Sequence, residues 1–241
     1  MAENCRDITV QAASFDHRGG PVFHASLPCS TGILKGNRTS GSGDKHRLVS
    51  ILWDHLTAME SPLWQGFHSS HGDAFPIHLA RGPLGRPRLL LGESPGPAIS
   101  FSEGGGNVWA ALCGDESDIG IDVAGSDEFQ KEYPFHRVFN DRELQHALSL
   151  TGGELGNASA LLWSIKEAVV KALGCAFHLV DPLQINVYPS VSGADGGYTF
   201  PVGLSRKALM RFPMGTDRSL WVRSLPHVKM WLSIALLNRQ P

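Results

Sequence analysis

The chain has 241 residues, of which 42% are hydrophobic and 18% are charged, with 21 Lys and Arg against 23 Asp and Glu. This composition allows a sizeable core in one large domain or two small ones. A net charge of −2 argues against a general nucleic-acid binder, which needs a basic face. No apolar run reaches the roughly 18 residues that a membrane span needs, and the N-terminus MAENCRDITV has no apolar secretory core.

The cysteines are scattered and form no CxxC pair: Cys5, Cys29, Cys113 and Cys175. This pattern favours free thiols in a reducing compartment over a disulfide framework or a zinc site. His68, His71 and His78 fit no standard zinc spacing, so a structural or exposed loop is the favoured interpretation there. We expect a cytoplasmic protein that binds neither nucleic acid nor membranes.

The first half of the chain alternates loops with short ordered segments. Residues 29–44, rich in Gly, Ser and Thr, predict a loop, with Asp44 as the N-cap of a helix that continues through KHRLVSILWDHLTAM. AFPIHLA predicts a strand and RGPLGRPRL a turn. From residue 98 onward, AISFS, VWAALCG and IGIDVAG predict three strands, which a glycine-rich loop and a short polar turn separate.

The second half combines two helices with closing strands. The segment PFHRVFNDRELQHALSL predicts a helix capped by Asn140 or Asp141, with Glu143 close behind. ASALLWSIKEAVVKALG carries a broad apolar stripe typical of a packed helix, and Gly174 is placed to end it. LQINVYP, LWVRSLP and VKMWLSIALL predict strands. This order favours an α+β fold with helices on one side of a largely antiparallel sheet.

Two charged groups on different elements suggest a shared site. Glu167 and Lys171 are four residues apart on the second helix and point the same way, which is also typical of an exposed ion pair. Asp122 interrupts an apolar strand, where it either caps a turn or meets a cation. Together the two carboxylates could hold one Mg²⁺ against phosphate oxygens, with the lysine neutralising the same phosphate.

The motifs GIDVAG and WSIKEAVVKALG, in this order and at this separation, resemble the signature of the Sfp-type 4′-phosphopantetheinyl transferases. The matching positions are Gly120, Ile121, Asp122, Trp163, Ser164, Lys166, Glu167, Ala168 and Lys171. Gly85–Pro87 resembles the family's Gly-[Lys/Arg]-Pro motif, and residues 45–48 resemble the helix whose arginine approaches the nucleotide. The resemblance covers residues 76–187 most clearly.

The resemblance implies a pseudo-dimer of two similar α/β halves, residues 1–115 and residues 116–241, the second carrying the signature. It implies transfer of the 4′-phosphopantetheine arm of coenzyme A to a serine of an apo acyl or peptidyl carrier protein, with release of 3′,5′-ADP. The carrier would belong to fatty-acid, polyketide or nonribosomal peptide biosynthesis. A pseudo-dimeric chain has no need to pair, so we expect a monomer.

The resemblance also implies residue roles. Asp122 and Glu167 would ligate Mg²⁺, and Glu167 could also take the proton from the carrier serine. Lys171 would stabilise charge on the phosphate. The coenzyme A phosphates would be held by Arg47, Arg86, Ser102 and Lys171. Lys166 could be structural, and the Gly104–Gly106 segment is either an anion cradle or a plain hairpin turn.

The sequence departs from the family pattern at two positions. Ala124 occupies the place of a second acid, so a water would complete the metal coordination there. Glu103 stands where the family has a histidine that approaches a coenzyme A phosphate; this carboxylate would repel the phosphate unless it turns away or pairs with an arginine. Glu103 favours the alternative function, a non-catalytic protein that binds a carrier protein or a nucleotide on the same fold.

Overall fold

A computed structural model describes residues 8–15, 21–29, 41–59, 77–129, 133–193, 195–213 and 218–239. The helices are α1 Gly41–Ala58, α2 Asp141–Leu150, α3 Leu155–Ala172 and α4 Arg206–Arg211. The strands are β1 Gln11–Ala13, β2 Val22–Pro28, β3 Ile77–Arg81, β4 Pro87–Leu91, β5 Ser94–Pro95, β6 Ile99–Gly104, β7 Asn107–Cys113, β8 Asp118–Gly125, β9 Ile185–Val187, β10 Val191–Ser192, β11 Tyr198–Leu204, β12 Arg218–His227 and β13 Met230–Arg239. Within these ranges no helix is long and apolar enough to cross a membrane.

The strands form three sheets, and the neighbouring strands that the structure describes pair antiparallel. The first sheet has the order β1-β2-β7-β6, the second has β10-β11-β12-β13-β8 with β9 beside β11, and the third has β3-β4-β5. β6 and β8 are therefore edge strands of two different sheets. The α+β class with antiparallel sheets is confirmed.

Each large sheet packs one long helix against it. Leu48, Leu52 and Leu56 of α1 join a core cluster with the first sheet, and Leu161 and Ile165 of α3 join a second cluster with the second sheet. A third cluster contains side chains from both sheets, among them those of β7, β8 and β13. The fold is thus two helix-on-sheet halves that share an apolar interface, as expected for a pseudo-dimer. β7 ends at Cys113 and β8 begins at Asp118, and the division at residue 115 stays a prediction.

The predicted elements near the signature are confirmed with small shifts. Asn140 caps α2 and accepts a hydrogen bond from the Glu143 N–H, while the Glu143 carboxylate accepts one from the Asn140 N–H, which completes a capping box. α3 begins at Leu155, three residues before the predicted start. It ends where Gly174 takes a φ of +69°, which glycine adopts without strain.

Two predictions about the first half are wrong. α1 begins at Gly41, so Asp44 lies within its first turn and is not the N-cap. Its carboxylate still complements the positive end of the helix dipole there. Residues 87–89, predicted as the end of a turn, belong to β4, which pairs with β3. The predicted loop at 61–73, with His68 and His71, lies outside the described residues, and His78 is exposed on β3.

The Gly104–Gly106 segment is a hairpin turn between β6 and β7. Gly104 pairs with Asn107, and the two residues between them have φ of +60° and +77°. Positive φ at both central positions is the geometry of the two-residue turn that matches strand twist, which explains the consecutive glycines. The hairpin interpretation is therefore confirmed.

Candidate functional site

The site is built where α3 lies directly on β8. A Cβ added to Gly120 would lie 1.9 Å from the backbone oxygen of Ala168 and 2.6 Å from the backbone nitrogen of Ala172. Only glycine permits this contact between helix and strand backbones. Asp122 is two residues further along β8 and therefore faces the same helix. The glycine of the GIDVAG motif thus determines how close Asp122 comes to α3.

Asp122 and Lys171 form the central ion pair. Lys171 Nζ donates to Asp122 Oδ1 at 2.7 Å and to the carbonyl oxygen of Ile121 at 3.0 Å. Ser102 Oγ donates to the same carboxylate oxygen at 2.9 Å. Asp122 is buried and Lys171 is partly exposed. Both donor side chains bind the same oxygen, Oδ1 of Asp122.

Glu167 completes a pair of carboxylates. Burial raises the pKa of Glu167 above its ordinary value, the charge of Asp122 raises it further, and Lys171 offsets part of the shift. Burial likewise raises the pKa of Asp122, and Lys171 and Ser102 oppose this by stabilising the charged form. The two acids are therefore close enough to repel each other, and the Lys171 ammonium group stabilises the charged form of both. A second cation would lower the free energy of the doubly ionised state.

The donor set fits a hard divalent cation. Mg²⁺ binds proteins through one or two carboxylates and takes its other ligands from waters and phosphate oxygens. Asp122 and Glu167 supply two carboxylates. The described ranges hold no cluster of three or more His, Cys, Asp or Glu side chains suited to a metal. Ala124 is buried in the α3 core cluster and pairs across the sheet with Trp231.

Lys166 lies apart from this pair although it belongs to the same motif. Its Nζ donates to Glu143 Oε1 at 2.6 Å, to the carbonyl oxygen of Pro182 at 2.8 Å and to that of Val138 at 2.9 Å. Both charged side chains are fully buried. All three ammonium protons are used within the protein. Its contacts therefore agree with the structural role considered above.

Arg86, just before β4, contacts Asp118, the first residue of the strand that carries Asp122. Its Nη2 donates to Asp118 Oδ1 at 2.6 Å, and Arg218 approaches the other oxygen of Asp118 at 3.5 Å. The Arg86 side chain also packs against Gly174 at the C-terminal end of α3. Asp118 was not singled out from the sequence. Its position, an even number of residues before Asp122 on one strand, places it on the same face and could have revealed it.

Arg47 is placed in a different environment. It lines a cavity of about 540 Å³ at the end of the first sheet, together with Asp44, His24, Trp109 and His227 among others. The structure therefore brings Asp122, Glu167, Lys171 and Ser102 together, while Arg86 is held by Asp118 and Arg47 faces this cavity. The coenzyme A contacts of both arginines stay predictions.

Glu103 is neutralised by a residue that sequence reasoning missed. Lys45 Nζ, from the first turns of α1, lies 2.9 Å from Glu103 Oε1 and 5.9 Å from the centre of the Phe101 ring. The partner is thus a lysine and not the arginine considered above. The side chains of Lys45 and Glu103 are 31% and 57% exposed. Glu103 and Lys45 therefore form one locally neutral pair.

Comparison with known proteins finds one family model that is similar to the segment carrying the site. Residues 118–202 match the family model described as the 4′-phosphopantetheinyl transferase superfamily, and this segment contains Asp122, Glu167 and Lys171. The match covers about a third of the chain. The Sfp type of transferase remains a prediction. No curated protein matches the chain.

Two solved structures of ACPS from Chronobacterium ammoniagenes are similar to part of the chain. The apo structure is 20% identical over 52% of this chain and 98% of its own, with a TM-score of 0.41. The complex of ACPS with CoA is 20% identical over 53% of this chain and 100% of its own, with a TM-score of 0.38.

Proposed function

We propose that this phosphopantetheinyl transferase superfamily protein transfers the 4′-phosphopantetheine arm of coenzyme A to a serine of an apo acyl or peptidyl carrier protein and releases 3′,5′-ADP. The observation that carries the proposal is the convergence of Asp122, Lys171 and Glu167 inside the segment that matches the superfamily. The superfamily supports phosphopantetheinyl transfer as the class of reaction. The carrier and the metal are the finer parts of the proposal.

The residues present suit the charge changes of such a reaction. Asp122 and Glu167 would hold Mg²⁺, which would neutralise negative charge on the diphosphate of coenzyme A when it is bound. Lys171 has one ammonium proton beyond the two that it gives to Asp122 and Ile121, and this proton can reach a substrate phosphate oxygen. Glu167, whose pKa is raised by burial and by Asp122, is suited to accept the proton of the carrier serine.

The alternative, a non-catalytic binding protein, drew its support from Glu103. The pairing of Glu103 with Lys45 weakens that support, because the carboxylate no longer presents an uncompensated charge to an incoming phosphate. A binding protein also has no need for a buried aspartate, a second carboxylate and a lysine at one point, since mutual repulsion of the acids destabilises the empty site.

The test is direct transfer. Purified protein is incubated with coenzyme A, Mg²⁺ and an apo acyl carrier protein, and the carrier is weighed by intact-mass spectrometry. We expect a mass gain of one phosphopantetheine arm that EDTA abolishes and Mg²⁺ restores. Glu167→Gln is the matched control, because it keeps the side-chain size and removes both the charge and the base. No gain with several unrelated carriers, despite measurable coenzyme A binding, would favour the alternative function.

A further inference from the structure

The two halves meet at an unusual junction beside the site. β6 is the edge of the first sheet and β8 is the edge of the second, and the described strands form no backbone ladder between them. An edge strand carries backbone N–H groups that need partners when they are buried. Ile121 and Val123 are buried positions of β8 at this edge. Their N–H groups therefore need acceptors from the other half.

Two serine hydroxyls supply these acceptors. The Ile121 N–H donates to Ser100 Oγ at 3.1 Å, and the Val123 N–H donates to Ser102 Oγ at 3.3 Å. Both serines are buried on β6. The two serines are two residues apart, as are the two amides. The later serine binds the later amide, so β6 and β8 run parallel at this junction.

The junction leads directly to the catalytic aspartate of the proposed reaction. Ser102 accepts from Val123 and at the same time donates its own proton to Asp122 Oδ1 at 2.9 Å. One residue pair further on, a Cβ at Gly104 would lie 3.2 Å from Val123, so the strands stay in close contact to the hairpin turn. Ser100 touches no reacting group, yet it holds the strand that carries Asp122.

We propose that Ser100 and Ser102 form a side-chain ladder that fixes β8, and with it Asp122, against the first half, which makes Ser100 a positioning residue of the site. The ladder replaces the backbone pairing that two sheets of one domain would use. Its consequence for the reaction rests on the proposed function, because coenzyme A would have to bridge groups on both halves. The ladder itself does not rest on that function.

Hydrogen exchange measured by NMR tests the ladder without any activity assay. In Ser100→Ala we expect the Ile121 amide to exchange about 10-fold faster or more, while the Val123 amide keeps its protection. Ser102→Ala should give the reverse pattern. Ser159→Ala is the matched control: Ser159 is buried on α3 and donates to the carbonyl oxygen of Leu155 at 2.8 Å, far from the junction in sequence. It should leave both amides unchanged.

Kinetics and coenzyme A titration calorimetry test the positioning role. Ser100→Ala should raise the coenzyme A Kd and KM about fivefold with little change in kcat, whereas Ser102→Ala should also lower kcat because it contacts Asp122. Ser159→Ala should change neither constant. If Ser100→Ala does not fold, Ser100→Cys, with a weaker acceptor of similar size, takes its place.

The outcomes separate the two proposals. Unchanged Ile121 exchange in Ser100→Ala would overturn the ladder. Faster exchange with wild-type coenzyme A Kd and KM would overturn the positioning role. A wild-type protein that transfers no arm would defeat the proposed function, while the exchange pattern would still decide whether the ladder exists.

Discussion

Lys166 and Lys171 belong to one motif on one helix, yet their environments are opposite. Lys166 is fully buried, and its three N–H groups end on Glu143 and two carbonyl oxygens. Lys171 is 28% exposed, and it gives two N–H groups to Asp122 and Ile121. A lysine whose donors are all used can only hold the fold together. A lysine with a donor left over, beside two carboxylates, can act on a ligand.

Breaking the Lys166 pair should give the largest effect, and the effect should be on stability. Lys166→Met leaves Glu143 as a buried carboxylate without its cation, so we expect a loss of about 3–5 kcal/mol in the free energy of unfolding. Urea unfolding followed by circular dichroism measures it. Lys171→Met is the comparison, with a smaller expected loss because Lys171 is 28% exposed and Ser102 still donates to the Asp122 carboxylate.

Glu143 sharpens this expectation. Its carboxylate also accepts hydrogen bonds from the N–H groups of Asn140 and Val187, so it links the start of α2 to β9. The double variant Lys166→Met/Glu143→Leu should therefore recover only part of the stability, since it removes the unpaired charge and leaves these N–H groups unsatisfied. Losses equal to within error for Lys166→Met and Lys171→Met would contradict the structural assignment of Lys166.

Breaking the Lys171 pair should give the converse result. We expect Lys171→Met to lower kcat for carrier modification by about 10²–10³-fold, the range found when one preorganised donor to a developing charge is removed. Single-turnover assays with coenzyme A and an apo carrier protein measure it, on protein that circular dichroism shows to be folded at the assay temperature. Activity within a factor of two of the wild type would remove Lys171 from the mechanism.

Asp122, Glu167 and Lys171 could be predicted as site residues from the sequence, because spacing on a strand and on a helix determines which side chains share a face. The sequence could also supply α2, since a capping box is a local pattern around Asn140 and Glu143. It could not supply the partners of Lys166 and Glu103. Those contacts join residues far apart in the chain, and only the packing of α3 and α1 on their sheets brings them together.

The same limit applies to the junction between the halves. From the sequence, Ser102 was predicted to bind a coenzyme A phosphate, and Ser100 was given no role. Their roles as acceptors depend on two edge strands meeting side by side, which no local pattern encodes. The error at Asp44 is of the opposite kind, because a local pattern was given too much weight. Asp44 is a favourable N-cap residue, but α1 begins at Gly41, three residues before it.

His24 is a third kind of buried ionisable group, one whose pKa shift has no contribution from a charge of opposite sign within the described residues. Its Nε2 has no hydrogen-bond partner within the described part of the chain, and burial, with a smaller contribution from His227, lowers the pKa of His24 to about 4 from 6.5. The unfolded chain therefore binds a proton that the folded chain excludes. Stability from this group is complete above pH 6.5 and is lost as the pH falls toward 4.

The expected loss at pH 5 is about 2 kcal/mol. For each protein, the unfolding free energy is measured at pH 7.5 and at pH 5.0, and the loss between the two is calculated. The loss for His24→Gln, whose amide cannot titrate, is then subtracted from the loss for the wild type. Asp44, Arg47 and His227 line the same cavity and remain in both proteins, so their contributions largely cancel. His78→Gln, at an exposed position on β3, should behave as the wild type. Parallel pH profiles for wild type and His24→Gln would show that His24 is protonated equally in both states.

The Lys45–Glu103 pair should give the smallest effect, because both side chains are partly exposed and such pairs contribute about 0–1 kcal/mol. If Glu103 withholds Lys45 from a coenzyme A phosphate, Glu103→Gln should lower the KM for coenzyme A about threefold, and Lys45→Met should raise it by a similar factor. Both changes should shrink in high salt, which screens exposed charges. Glu103→Gln and Glu103→His with unchanged KM would mean that another group holds that phosphate, and attention would then move to Arg47 and Arg86.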